Sequence, residues 1–126
     1  MRKNLPVTGR EFLYDQDARL ISTTDRAGVI THVNDAFCHV SGYDRDELLG
    51  QPHNIIRHPD MPEAVFQDFW ATLKAGRPWM GVVKNRCKSG DHYWVSAYVA
   101  PIYEGDAIVG YQSVRTAPES NTNSRS

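Results

Sequence analysis

The densest run of side chains able to do chemistry lies between His53 and Asp60. It contains Arg57 and a second histidine, His58, just before a predicted helix. A guanidinium presents a rigid fork of donors to phosphate, and the first turn of a helix offers free N–H groups. The run therefore predicts an anion-binding site. The alternative is that Asp60 only caps the helix and Arg57 is a solvated charge, and charge by itself favours this alternative.

Two amide side chains, Asn85 and Gln112, form a second candidate site. Asn85 shares one face of an alternating strand with apolar residues, and Gln112 is in phase with apolar residues of the last strand. An unpaired buried amide costs on the order of 1–3 kcal/mol, so each needs a partner. Two amides directed at one cavity would match the polar edge of a planar heterocycle. Trp70 and Trp79 would supply stacking surface, although such aromatics also fill ordinary cores.

Motifs of familiar catalytic or metal sites are absent from the sequence. It has no G-x-S-x-G elbow, no zinc spacing of His or Cys, and neither a dinucleotide fingerprint nor a P-loop. The 14 basic and 15 acidic residues give a net charge of −1, which argues against nucleic acid or an anionic membrane as a partner. Cys38 and Cys87 fit reduced, cytosolic thiols. We expect a binding domain and no enzyme.

The length of 126 residues predicts one domain. We expect an N-terminal extension at 1–17, the domain at 18–117 and a polar, disordered tail at 118–126. No apolar run approaches the roughly 20 residues that cross a bilayer. Two β-branched runs around a turn predict a hairpin, three later alternating segments predict further strands, and the residues between them predict short helices and one longer helix capped by Asp60. The fold class is therefore α+β, an antiparallel sheet with helices on one face.

Several motifs in this order resemble the PAS family. They are Asn34-Asp35-Ala36-Phe37, Ser41-Gly42-Tyr43, the segment 47–52 and the strand–turn–strand at 85–94. A more selective pair of motifs is similar to the FAD-binding PAS domain of bacterial aerotaxis receptors (Aer-type). That pair is Gly50-Gln51-Pro52-His53-Asn54 and Arg57-His58-Pro59-Asp60-Met61-Pro62. The resemblance covers the chain from about residue 20 to residue 116.

The resemblance implies a five-stranded antiparallel sheet in the order 2-1-5-4-3, curled around a flavin. It implies that one set of residues is needed for FAD: Arg57, His58 and Asp60. It also implies that a second set lies close to the cofactor: Asn34, His53 and Asn85. Gln112 resembles the glutamine that blue-light flavin (LOV) domains hold near the reactive edge of the ring.

Departures from the LOV pattern favour a redox role. The photochemical cysteine has no counterpart at 54–60, and Val95 replaces a second ring-binding asparagine. Photoadduct chemistry is therefore excluded, and we expect reduction of the flavin to change the hydrogen bonds of a buried amide and repack the sheet. The resemblance implies HAMP and signalling domains beyond Ser126 on the cytoplasmic side of a membrane-anchored receptor, with no membrane contact by these residues. A homodimer stays open.

Three other interpretations remain open at this point. A haem-binding PAS sensor would need an axial histidine, for which His58 is available. A ligand-free interaction module would fill its cavity with side chains, which the amide pair Asn85 and Gln112 argues against. A catalytic flavoprotein would need a substrate site or an acid/base pair, and the sequence offers neither.

Overall fold

The computed structural model describes residues 5–118, so the tail predicted at 118–126 lies outside the described residues except for Pro118. Within that part, two strands are followed by three short helices and one longer helix, and then by three further strands. The bounds are β1 (Leu20–Asp25), β2 (Ile30–Val33), α1 (Asp35–Ser41), α2 (Arg45–Leu48), a 3-10 helix (His53–Ile56), α3 (Glu63–Lys74), β3 (Trp79–Arg86), β4 (His92–Glu104) and β5 (Ala107–Thr116).

The strands form one antiparallel sheet in the order β2-β1-β5-β4-β3, which confirms the predicted fold class and strand order. β1 and β5, the first and last strands, pair along six residues, from Leu20 opposite Arg115 to Asp25 opposite Gly110. This central pairing joins the N-terminal hairpin, β1–β2, to the C-terminal three-stranded meander, β3–β4–β5.

Two apolar clusters pack on the inner face of the sheet. The larger one lies under α1, α2 and the 3-10 helix and includes Phe37, Leu48 and Val95, each fully buried. The smaller one lies under α3 and consists of Leu73, Val99 and Tyr111. Burial of a large aliphatic or aromatic side chain stabilises by roughly 1.5–3 kcal/mol, so these clusters hold the helices on the sheet.

Helix α1 begins and ends where the sequence predicts. The Asn34 side chain accepts from the backbone N–H groups of Phe37 at 3.0 Å and Ile21 at 3.1 Å, so this cap also ties the helix to β1. Gly42 ends the helix in the left-handed region, at φ 79°.

The predicted start of the long helix is wrong. Asp60 does not cap α3, which begins at Glu63 with Pro62 as its N-cap residue. The Asp60 carboxylate instead accepts from Lys84 Nζ on β3 at 2.8 Å. A turn closed by Met61 N–H to the His58 carbonyl lies before the helix, which delays its start.

The described part of the N-terminal extension packs along the β3–β4 turn. The backbone of Phe12 donates to His92 O at 2.7 Å, and that of His92 donates to Arg10 O at 2.8 Å. Phe12 and Tyr14 pack against the larger apolar cluster, and the Tyr14 hydroxyl donates to the Trp94 carbonyl at 2.6 Å. This segment therefore lies on the domain.

Candidate functional site

A cavity of about 300 Å³ opens between the sheet and the helices, at the junction of the two apolar clusters. This volume is within the range of small-ligand sites. One end is polar and the other is aromatic. The polar end includes Ser22, His53, Asn85, Ser113 and Arg115. The aromatic end includes Phe66, Phe69, Trp70, Trp79 and Tyr111.

A buried arginine organises the polar end. Arg115 projects inward from β5 with only 5% of its surface exposed. Its Nη1 donates to Ser22 Oγ at 3.2 Å, and its Nη2 lies 2.8 Å from His53 Nε2. Ser22 Oγ also lies 3.0 Å from the same His53 nitrogen. Because the guanidinium has donors only, His53 Nε2 accepts and the ring carries its proton on Nδ1.

This end carries a single positive charge at neutral pH. Burial, together with the neighbouring positive charge of Arg115, lowers the pKa of His53 to about 3. Burial also lowers the pKa of Arg115, to about 10, which still leaves the guanidinium protonated. The imidazole is therefore neutral, and the guanidinium supplies the charge.

Three buried polar atoms that line the cavity have no hydrogen-bond partner within residues 5–118: Thr24 Oγ1, Asn85 Nδ2 and Ser113 Oγ. An unpaired buried donor or acceptor destabilises a fold by about 1–3 kcal/mol. The Asn85 amide also lies against the Tyr93 phenol. Burial raises the pKa of that phenol, and the Asn85 amide lowers it. The contact between the two side chains lacks hydrogen-bond geometry. These atoms fit the polar edge of a bound ligand.

The aromatic end forms a wall of edge-to-face rings. Phe69 contacts Trp70 and Trp79 with ring centroids 5.0 and 5.2 Å apart, and Trp70 contacts Tyr111 at 5.4 Å. The Trp79 indole donates to Asp68 at 3.0 Å and lies over Gly81, where an added Cβ would be 2.5 Å from the ring. A side chain at that position would displace this wall.

Arg57 enters the cavity beside the aromatic end. Its guanidinium stacks 3.8 Å from the centre of the Phe66 ring, and burial lowers its pKa. A backbone bridge to Asn85 fixes the segment after the 3-10 helix against β3. The lining of the cavity therefore includes two guanidinium groups, Arg57 and Arg115, together with aromatic rings and polar side chains.

Comparison with known families identifies this architecture. The family model described as the PAS fold matches residues 30–115. The chain belongs to the PAS family. The predicted resemblance of this PAS domain to that of Aer-type receptors is also confirmed, because it is 59% identical over 100 residues to the aerotaxis receptor of Escherichia coli (strain K12), covering 79% of this chain and 20% of the receptor.

More distant relatives share the PAS region alone. The nitrogen fixation regulatory protein of Klebsiella pneumoniae is 32% identical over 90 residues, which are 71% of this chain and 18% of that protein. The chain thus spans about a fifth of the length of these curated relatives. A solved light-oxygen-voltage domain studied with a flavin analogue superposes with a TM-score of 0.73 at 21% identity, covering 80% of this chain and 78% of that one. At that identity the match shows the PAS fold alone.

Five of the predicted site residues of the PAS domain line its cavity: His53, Arg57, Trp70, Trp79 and Asn85. On β3 the predicted alternation is correct from Met80 to Asn85, since Val83 and Asn85 are buried whereas Met80 and Val82 are exposed. Arg86, predicted on the outer face, is buried as well. The structure therefore brings the predicted amide, Asn85, into one cavity with the two predicted tryptophans and Arg57.

The prediction that Gln112 faces this cavity is wrong. Gln112 is exposed, and its neighbours Tyr111 and Ser113 face inward instead. The predicted alternation places Gln112 in phase with Ile108, but the β4–β5 register shifts next to Ile108, where one extra residue of β5, Val109, lies between two paired positions. Such a bulge reverses the alternation beyond it.

Asn34, His58 and Asp60 also do not line the cavity. Asn34 caps α1. His58 is buried elsewhere, where its Nδ1 accepts from the Asp60 backbone at 3.1 Å and its ring meets His92 edge-on at 6.0 Å. Asp60 is exposed and pairs with Lys84. His58 and Asp60 therefore lie in the turn that follows Arg57, outside the lining of the cavity.

Five polar residues that line the cavity are not among the predicted site residues: Ser22, Thr24, Asn54, Ser113 and Arg115. The signal available was weak. Ser113 and Arg115 are two apart and share a face of β5, but a strand with a serine and an arginine on one face is typical of a solvated face. Only the reversed phase of β5 turns that face inward.

In the part of the chain that the structure describes, no group of three or more His, Cys, Asp or Glu side chains is placed to hold a metal ion. No helix there is both long and apolar enough to span a bilayer.

Proposed function

We propose that this PAS domain binds FAD and reports the redox state of the flavin as the sensor of an aerotaxis-type receptor. The observation that carries the proposal is a set of cavity atoms with no hydrogen-bond partner among residues 5–118, at Thr24, Asn85 and Ser113, in a cavity that aromatic rings also line. A planar heterocycle with a polar edge satisfies both. The aerotaxis receptor relative and the light-oxygen-voltage fold support the choice of a flavin.

The residues present fit the parts of FAD. The Asn85 amide and the Ser113 hydroxyl would bind the polar edge of the ring, and Trp79 would flank its face. Arg57 would bind the phosphates, since a guanidinium fork matches phosphate oxygens. FAD, when bound, supplies the electron-accepting chemistry, while the protein binds it, orients it and excludes water. No acid/base role is assigned to any residue, so we propose sensing and no catalysis.

The signal would leave through the sheet. Asn85 lies on β3, and the opposite face of β3 and β4 exposes Met80, Val82 and Tyr98, with 72%, 56% and 47% of their surfaces accessible. Met80 and Tyr98 are directly paired across the strands. A changed hydrogen bond at Asn85 would therefore shift this exposed apolar patch, on which we propose that HAMP and signalling segments of a longer receptor act from the cytoplasmic side.

The cofactor identity is the first thing to test. The chain, purified from cells, should show flavin absorption that dithionite bleaches, and denaturation should release FAD, identified by chromatography against FMN and riboflavin standards. A colourless chain that FAD cannot reconstitute would refute the proposal. Release of FMN would retain a flavin sensor and correct the nucleotide.

The haem alternative loses its support. It required His58 as the axial ligand, but His58 does not line the cavity, and its Nδ1 already accepts a backbone hydrogen bond. The histidine that does line the cavity, His53, directs Nε2 at Arg115. The spectrum of the purified chain tests this as well, because bound haem would give a Soret band.

A further inference from the structure

The buried charge at the polar end of the cavity has no counter-ion among the described residues. Arg115 hydrogen-bonds to a hydroxyl and a neutral imidazole, and its guanidinium carbon lies 5.3 Å from the centre of the Phe37 ring. Within residues 5–118, no acidic side chain forms an ion pair with it. A buried ion is unfavourable unless an opposite charge or several hydrogen bonds compensate it.

The groups around Arg115 do not supply the missing charge. The phenols of Tyr14 and Tyr93 interact with it electrostatically, but burial raises the pKa of both, so they stay neutral. His53 is neutral as well. The polar end therefore has a net positive charge in a medium of low dielectric, where one charge acts more strongly than in water.

We propose that Arg115 sets the redox potential of the cofactor by stabilising the negative charge that reduction places on it. An electron that enters a flavin from a reductant without a proton adds one negative charge to the ring. The polar end of this cavity holds the opposite charge, the guanidinium of Arg115. Arg115 thus binds the reduced ligand better than the oxidised one. This inference rests on the proposed function, and it names the residue that would tune it.

A different explanation gives Arg115 a structural role only. Its two hydrogen bonds join β5 to Ser22 on β1 and to His53 at the start of the 3-10 helix. In that case its replacement would reduce stability and flavin content, but it would leave the potential of the flavin that remains bound unchanged. The potential therefore separates the two roles.

The decisive comparison uses Arg115→Gln and the charge-conserving Arg115→Lys in the FAD-loaded 126-residue chain. The midpoint potential is measured by dye-equilibrated reduction and referred to bound flavin. We expect Arg115→Gln to weaken binding of the reduced flavin relative to the oxidised flavin at least tenfold. This lowers the midpoint potential by about 59 mV for a one-electron step. Arg115→Lys should retain most of the wild-type potential. Equal potentials in Arg115→Gln and wild type would overturn the inference.

A second pair of variants keeps the arginine. Ser22→Asp puts a carboxylate beside the guanidinium and should lower the potential in the same direction, whereas the neutral Ser22→Asn should not. This pair decides the question if Arg115→Gln fails to fold or to hold FAD. Unchanged potential in Ser22→Asp with normal FAD content refutes the role of Arg115 and leaves the proposed function intact. A wild-type chain that binds no flavin refutes both.

Discussion

The polar side chains that line the cavity differ in whether they have hydrogen-bond partners within the described part of the protein. The Asn85 amide nitrogen and the Ser113 hydroxyl make no hydrogen bond to residues 5–118, whereas Ser22 and His53 are paired with Arg115. Residues of the first kind stabilise the protein little by themselves and can gain a partner on binding. Residues of the second kind belong to the folded structure before any ligand arrives.

Asn85 should therefore affect binding more than folding. We expect Asn85→Ser to weaken FAD binding about tenfold, roughly 1.4 kcal/mol, because it removes one buried hydrogen-bond partner of the ligand. The free energy of unfolding without FAD should change little, and the midpoint potential should shift. Gln112→Ala, at the exposed position on β5, is the control and should bind like wild type. Equal FAD affinities in Asn85→Ser and wild type would remove Asn85 from the site.

His53 should make the ligand-free chain sensitive to acid. Its folded pKa, about 3, lies below the 6.5 of a free imidazole, so the unfolded state binds more protons between these values. Stability is therefore lost as the pH falls through this window, by about 1.5 kcal/mol between pH 6.5 and 5. Urea unfolding at several pH values measures the slope.

His53→Gln should flatten that pH dependence, and His32→Gln, at an exposed position on β2, should retain it. Some slope will remain in His53→Gln, because burial also lowers the pKa of His58. An unchanged slope in His53→Gln would mean that the pKa of His53 is the same in the folded and the unfolded chain, contrary to its buried contact with Arg115.

At the scale of elements, the site depends on segments that contribute few cavity residues. The turn after the 3-10 helix fixes Arg57 through its backbone bridge to β3. The N-terminal segment packs on the β3–β4 turn, far along the chain from its own position in the sequence, with Thr8 N–H bonded to Gly90 O at 3.0 Å. Both segments support β3 and β4, which carry the amide and the exposed apolar patch.

In the N-terminal segment, the side chain of Phe12 should contribute more to stability than that of its neighbour Leu13. Phe12 packs on the larger apolar cluster, whereas Leu13 has 79% of its surface exposed. We expect Phe12→Ala to reduce the free energy of unfolding by about 2 kcal/mol and Leu13→Ala by less than about 0.5 kcal/mol. Chemical denaturation of both variants measures the difference. Equal losses would show that the segment does not pack on the domain in solution.

At the scale of the whole molecule, the fold leaves a cavity between two apolar clusters in place of one continuous core. Closely packed interiors have few such voids, so a cavity with unpaired polar atoms reduces the stability of the ligand-free state. A ligand that binds only the folded state recovers that loss by mass action. A ligand in the cavity should therefore raise the free energy of unfolding of the whole domain.

FAD at one hundred times its dissociation constant should stabilise the chain by about 2.7 kcal/mol. For a domain of this size that raises the thermal midpoint by roughly 10 to 20 °C. Calorimetry with FAD, FMN and riboflavin compares the cofactors. Arg57→Met should reduce the preference for the phosphate-bearing flavins over riboflavin. A chain whose midpoint none of the three flavins raises would contradict flavin binding.

Local patterns predicted the strands, the short helices and the inward face of β3 correctly. They succeeded where neighbouring residues decide the outcome: the Asn34 cap, the Gly42 stop and the alternation that buries Asn85. They failed where a distant strand decides it. Asp60 is held by Lys84 and does not cap α3, and the bulge at Val109 directs Gln112 outward.

The sequence by itself determined that this chain forms a PAS domain, and it selected an amide, two tryptophans and an arginine that line the cavity. Only the tertiary structure decided which other polar residues face that cavity. Arg115 resembles a solvated surface charge along the chain, and the pairing of β5 with β1 and β4 makes it the buried charge of the cavity. The reason is that a local pattern specifies alternation, whereas the direction of a face depends on register against strands far away in the sequence.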